Sequence, residues 1–302
     1  MNDCLFFGSN KYPILIKNEP EKITKPIQFK FENENENEKQ IKQISSDEEF
    51  STIFLFKNGK AIEYLITVGY SNEAILTIEG NVFAKGYDIK LKNPKEFINI
   101  SSLIKNTNDR IIEDIVSGDS SIYLLTSNQN VYGIGANYSG QFGVDYKTLS
   151  KTEKPILMMK NVSKIFSGNS SFHVFLLNSN QELFGCGDNT SGQIGLGESR
   201  NGEELKKLTK IQNIPKGKII DIKCGSLYSI MLIEDQNQNP KRKLYSCGDY
   251  RYNGLGKTED TYEFTEIKSS LFGNDDDILD FSVGLNHTLI LTSKFKIDWI
   301  WK

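Results

Sequence analysis

The chain repeats one phrase at a near-constant interval. The phrase is a glycine, an apolar strand, a polar turn, a second strand ending in glycine, and then Asn-x-x-Gly-Gln. Gly133-Ile134-Gly135-Ala136-Asn137-Tyr138-Ser139-Gly140-Gln141-Phe142-Gly143 returns as Gly185-Cys186-Gly187-Asp188-Asn189-Thr190-Ser191-Gly192-Gln193-Ile194-Gly195, 52 residues later (187 − 135). The leading glycines Gly69, Gly118, Gly168, Gly225 and Gly284 are spaced 49, 50, 57 and 59 residues apart. Seven positions after each comes an apolar residue: Leu76, Leu125, Phe175, Leu232 and Leu291. A period near 50 made of short strands is the mark of a propeller or similar repeat array. A single all-β unit of this kind accommodates all 302 residues.

Between the glycines lies a hairpin. Ile122-Tyr123-Leu124-Leu125 is an apolar run, Ser127-Asn128-Gln129-Asn130 a turn, and Val131-Tyr132 a restarted strand. Apolar runs in place of strict alternation suit strands covered on both faces, as in stacked blades. Glycine accepts positive φ and lets a second backbone approach. Gly135, Gly187 and Gly248 after the second strand, and Gly140 and Gly192 in the following loop, join the leading glycines as expected structural positions.

The phrase resembles the regulator of chromosome condensation repeat. Val283-Gly284-Leu285-Asn286-His287-Thr288-Leu289-Ile290-Leu291-Thr292 is the best match to its first half, and Leu183 to Gly197 to its second. The resemblance implies a closed β-propeller of six or seven four-stranded blades. It implies His287 as a structural repeat histidine, with Asn72, Ser121, Ser171 and Tyr228 at the equivalent positions and His173 two residues out of register. The usual tryptophan of the second strand is Ile134, Cys186 or Cys247.

A degenerate copy is expected over 41–64. There Ile41 to Ser46 replaces the glycine lead, Ser51 to Phe56 forms a strand, and Ala61 to Tyr64 a short one. Residues 31–39 are low-complexity and read as a solvated loop. Residues 1–302 are read as one propeller. The N-terminal Cys4 to Asn10 resembles an orphan second half and the C-terminus an orphan first half, so the two ends are expected to complete one blade. The tail Ile297 to Lys302 is placed as its outer strand, the alternative being a chain that continues beyond Lys302.

A net charge of −3 and a pI near 5.7 lack the basic footprint of a nucleic-acid or chromatin binder. The four cysteines have no metal spacing and read as small core residues. With two histidines, no catalytic constellation and no metal or cofactor site is expected. Met1-Asn2-Asp3 does not read as a signal peptide, and no apolar run spans a membrane. A cytoplasmic or nuclear monomer is expected. Two insertions carry lysines: 198–218, with Lys206 and Lys207, and 235–243, ending Lys241-Arg242-Lys243 at a hairpin tip. These five are the expected partner-binding residues, because binding sits on loops of rigid scaffolds. The expected function is a non-catalytic scaffold or regulatory module with protein partners. The alternative implied by the resemblance is the founding member's activity, guanine nucleotide exchange on a small GTPase (Ran-like or other).

Overall fold

A computed structural model describes residues 5–9, 22–28, 40–46, 52–57, 65–77, 79–89, 96–197, 202, 204–235, 241–253, 258–268, 277–293 and 297–300. Their strands fall into seven antiparallel sheets. β1 (Leu5–Ser9) pairs with β2 (Lys22–Gln28), and β3 (Gln40–Ser46) with β4 (Thr52–Lys57). Five blades follow, each a meander in chain order. Blade A holds β5 (Leu65–Val68), β6 (Asn72–Leu76), β7 (Val82–Gly86) and β8 (Ile98–Asn99). Blade B holds β9 (Ile112–Ser117), β10 (Ser121–Thr126), β11 (Val131–Ala136) and β12 (Lys151–Met159). Blade C holds β13 (Val162–Phe166), β14 (His173–Asn178), β15 (Leu183–Gly187) and β16 (Leu205–Lys210). Blade D holds β17 (Lys218–Cys224), β18 (Tyr228–Asp235), β19 (Lys241–Gly248) and β20 (Thr261–Glu266). Blade E holds β21 (Ile278–Val283), β22 (Thr288–Thr292) and β23 (Ile297–Ile300).

The predicted hairpin is the middle pair of each blade. The first strand precedes the leading glycine, so the sequence phrase and the blade are out of phase by one strand. The first strands of neighbouring blades meet: Ser117 N donates to Thr67 Oγ1 at 3.0 Å, and Lys164 Nζ to the Ile220 carbonyl at 3.1 Å. They are therefore the inner strands. The core lies between blades. On β10, Ile122 and Leu124 pack with Ala74, Val82 and Ile100 of the blade A side, while Tyr123 and Leu125 pack with Phe175 and Leu176 of blade C. This is why β10, β11 and β14 are buried at every position.

Close approach near the axis needs the leading glycines. A Cβ on Gly168 would stand 1.8 Å from the Cys224 carbonyl oxygen of blade D, and one on Gly69 would stand 2.1 Å from the Gly118 carbonyl of blade B. Backbone bonds close the same gaps, from Ser71 N to Asp119 O at 3.2 Å and from Asp119 N to Ser171 O at 2.9 Å. The Gly-Gln loops add a second seam. The Gln141 carbonyl accepts from Cys186 Sγ and the Gln193 carbonyl from Cys247 Sγ, both at 3.3 Å. Cys186 and Cys247 thus stand between blades as buried free thiols, and Cys224 is a third buried free thiol. Burial pushes Cys186 and Cys224 up to about 12, far from thiolate reactivity.

Several expectations change. Ile41 to Ser46 is a strand of its own, β3, because its branched residues pair with Phe54 to Phe56. Lys241 to Lys243 are not a hairpin tip: β18 and β19 continue to the pairs Ile233↔Lys243, Glu234↔Arg242 and Asp235↔Lys241. Within 198–218, Leu205–Lys210 is the outermost strand β16. The tail strand β23 pairs directly with β22, as the third strand of its blade. A short connection after Thr292 favours the immediate neighbour. β1 and β23 stand in separate sheets. The loop at 31–39 and the short strand at 61–64 lie outside the described residues.

Candidate interaction surface

The meander gives each blade two ends. At one end lie the loops from first to second and from third to fourth strand; at the other lie the middle turns and the inter-blade linkers. The five predicted basic residues divide between these ends. Lys206 begins β16 at the first end, 3.5 Å from Asp145 and 5.0 Å from the centre of the Tyr146 ring. Lys207 is exposed beside it. Arg242 lies near the other end, 3.4 Å from Glu234, and also donates to the Leu279 carbonyl at 3.2 Å. Lys243 meets Glu266 at 3.1 Å, and Lys241 is placed by its pairing with Asp235. The structure thus makes two separate groups of these residues, and Lys206, Arg242 and Lys243 are already paired within the chain.

His173 is in register after all. Phe166↔Phe175 places Gly168 opposite His173, as Ser117↔Ile122 places Gly118 opposite Ser121. The loop after Gly168 is two residues longer than the loop after Gly118, which hides the equivalence from residue counting. The fully buried ring joins two blades: Nδ1 lies 2.9 Å from Ser171 Oγ and Nε2 2.7 Å from Ser229 Oγ. Ser229 Oγ donates to the Gln193 carbonyl, so it accepts from Nε2–H. Burial keeps the ring neutral, and with Nε2 protonated Nδ1 is the acceptor. Burial holds its pKa down at about 3. His287, half-buried, is also kept below its usual value by burial.

A charged position on the inner strands escapes the glycine-centred reading. Asp114, Lys164, Asp221 and Asp280 each follow a bulge and face Leu125, Leu177, Leu232 and Leu291. The pattern Ile-x-Asp-apolar before each leading glycine is visible at Ile112-Glu113-Asp114-Ile115, Ile219-Ile220-Asp221-Ile222 and Ile278-Leu279-Asp280-Phe281. Each aspartate accepts the next residue's N–H at 2.8–2.9 Å. Burial pushes the Asp114 carboxyl up to about 6, with the Ile115 N–H and Lys164 opposing and the Asp221 charge adding.

These two groups titrate in opposite senses. His173 binds a proton in the unfolded chain below its ordinary 6.5 but not in the fold. Its stability contribution is present above that value and is lost as pH falls towards 3. Asp114 holds its proton longer in the fold, so its contribution is full below 3.8 and is lost as pH rises through 6. Between about pH 4 and 6 the slopes nearly cancel. Asp114→Asn is expected to raise stability at pH 7.5 by on the order of 1–2 kcal/mol and to uncover the acid slope of His173. Urea midpoints from pH 4 to 7.5 check this; an unchanged slope counts against it.

The first end also carries exposed aromatic rings: Tyr70, Tyr87, Tyr138 and Tyr250. Those of Tyr138 and Tyr250 stand on loops anchored by buried asparagines. Asn137 accepts from Phe142 N at 2.8 Å and donates to the carbonyls of Val144 and Leu149. Asn253 donates to the Gly248 carbonyl at 3.1 Å.

Four-stranded antiparallel blades, packed face to face through apolar strands and glycine seams, define a β-propeller that presents loops from a rigid frame. The chain carries a regulator of chromosome condensation (RCC1) repeat and is similar to RCC1-repeat proteins in sequence and fold. The model of that repeat matches residues 180–232, from the third strand of blade C into the second strand of blade D. The RCC1 repeat-containing protein C10F6.04 of Schizosaccharomyces pombe is 28% identical over 155 residues, covering 49% of this chain and 42% of that protein. Human WBSCR16 superposes with a TM-score of 0.63 at 16% identity, over 98% of this chain and 70% of that one. Prp20p of Saccharomyces cerevisiae, in a structure described with its binding to Gsp1p and histones, superposes at 0.59 and 20% identity, over 93% and 60%. The chain spans less than half the length of the first curated relatives it matches. Among the described residues no helix is long and apolar enough to cross a membrane, and no group of His, Cys, Asp or Glu is placed to hold a metal.

Proposed function

We propose that the protein is a non-catalytic interaction scaffold, a cytoplasmic or nuclear monomer that binds other proteins through its loops. One observation carries this reading: at one end of the blades Tyr70, Tyr87, Tyr138 and Tyr250 are exposed, the last two on loops held by buried asparagines. Large aromatic rings on rigid supports bind partners with little ordering cost. The buried histidine and cysteines are used up in packing. Lys206 and Lys207 share that end and belong to the same surface; Lys241, Arg242 and Lys243 form a second, lesser one.

The resemblance to the regulator of chromosome condensation repeat supports a second reading, nucleotide exchange on a small GTPase. Such activity needs no covalent chemistry, only preferential binding of the nucleotide-free state. The purified chain mixed with a panel of small GTPases carrying fluorescent GDP separates the two. The scaffold reading expects no accelerated release and a stable partner in affinity capture. Accelerated release from any GTPase of the panel overturns that ranking.

A further inference from the structure

We propose that Tyr70, Tyr87, Tyr138, Asp88 and Asp119 form a docking site for an arginine-bearing segment of a partner protein. The proposal rests on the scaffold reading and gives it a ligand chemistry. The five residues are contiguous across the seam between blades A and B. Asp88 accepts Tyr138 Oη at 3.1 Å on Oδ1 and Ser71 Oγ at 3.2 Å on Oδ2. Ser71 adjoins Tyr70, and its N–H donates to the Asp119 carbonyl at 3.2 Å. The rings are open to solvent: Tyr87 is 69% exposed, Tyr138 46% and Tyr70 43%.

The charge of this patch is unbalanced. Among the described residues no cation pairs with Asp88 or Asp119, whereas Asp145, Glu182, Asp249 and Glu266 each have one: Lys206, Lys210, Arg251 and Lys243. Burial, with the charge of Asp88 adding to it, pushes the Asp119 carboxyl up; the Ser120 hydroxyl opposes. An arriving cation relieves that repulsion. Beneath the patch, buried Asn72 donates to the Asp119 carbonyl at 3.2 Å and leaves Oδ1 without a donor. The site is thus rich in acceptors and in tyrosine faces.

A guanidinium suits both features. It stacks on aromatic faces, donates in a planar fork, and is more weakly hydrated than an ammonium. The two hydroxyl donors hold the Asp88 carboxylate in place, so little order remains to be imposed on binding.

The test uses the full chain and fluorescein-labelled peptides alternating glycine with arginine, lysine or glutamate, followed by anisotropy at near-physiological salt. The arginine peptide is expected to bind, the lysine peptide more weakly and the glutamate peptide not at all. Tyr87→Leu and Asp88→Asn are each expected to weaken arginine binding about fivefold or more, and Tyr87→Phe by less than about twofold, because the ring face is retained. Melting curves of these exposed-site variants confirm that they fold. No arginine binding, or binding indifferent to Tyr87→Leu and Asp88→Asn, overturns the proposal. So does a large gain in affinity on neutralising Lys90, Lys92 and Lys95 to glutamine, which would make the chain's own lysines the occupant. A captured partner whose binding ignores Tyr87 and Asp88 leaves the scaffold reading standing and removes this site.

Discussion

Gly168→Ala is expected to destabilise the protein by about 4 kcal/mol or more, a value at the extreme of single substitutions. The cause is not backbone strain, since Gly168 is absent from the positive-φ glycines and its conformation suits any residue. Taken alone, alanine there would even stabilise slightly, by removing freedom from the unfolded chain. The cost comes from the next blade. The added Cβ would lie 1.8 Å from the Cys224 carbonyl oxygen and 2.9 Å from its carbon, and both atoms belong to inner strand β17. Backbone of a paired strand cannot turn aside as a side chain can, so the whole seam between blades C and D must open. His173 bridges that seam to Ser229, and Ser229 in turn bonds Gln193. Opening it strands buried polar groups, which adds to the steric cost.

Gly284→Ala provides the contrast. Its Cβ would meet the half-buried His287 ring, at 2.3 Å. A side chain yields more readily than the backbone of a paired strand, and the expected loss is about 1–2 kcal/mol. Paired urea titrations measure both. Equal losses would show that the leading glycines serve the turn alone and not the approach of neighbouring blades.

The fold was largely legible because glycine is where backbone meets backbone, and such contacts repeat with the blades. The hairpin of β10 and β11 reads directly from Ile122 to Tyr132, since its residues are buried on both faces. The inner strands were harder. Ile112 to Ser117 mixes Glu113 and Asp114 with isoleucines, because the strand faces its blade's core on one side and the axis on the other. The outer strands were harder still: Leu205 to Lys210 is half lysine, as befits a sheet edge that must not pair with another chain. Its lysines therefore looked like a loop. His173 was lost for a different reason, a longer loop that only strand register corrects. The tyrosine surface left almost no sequence signal, because Tyr70, Tyr87 and Tyr138 are unrelated in repeat position and meet only across a seam.

Asp109→Ala is expected to cost about 3–5 kcal/mol, from one carboxylate at the end opposite the tyrosines. Asp109 is 2% exposed and pairs with no cation among the described residues, yet five side-chain bonds converge on it. Asn106 and Asn128 each give one at 3.0–3.1 Å, Asn130 gives two at 3.0 Å, and Tyr132 Oη gives one at 2.6 Å. Burial works to raise the carboxyl's pKa, but Tyr132, Asn128, Asn130 and Asn106 together outweigh it and hold it below the ordinary value. A depressed carboxylate contributes stability above the unfolded value of 3.8, and that contribution is lost as pH falls through the lower, folded value. Asp109→Asn keeps the shape but replaces one acceptor by a donor facing donors, so its loss should be smaller at pH 7 and should shrink further in acid. The physical task of the cluster is to fasten the linker over Ser101–Leu103 and Thr107–Asp109 to the turn after Thr126, which fixes where β9 begins. β9 in turn delivers Gly118 and Asp119 to the opposite end. Asp109→Ala should therefore lower the melting temperature while the folded fraction still binds the arginine peptide with unchanged affinity. Loss of binding in step with loss of stability below the transition would mean that the two ends of blade B are coupled, and the docking site would then depend on the linker as well as on its own residues.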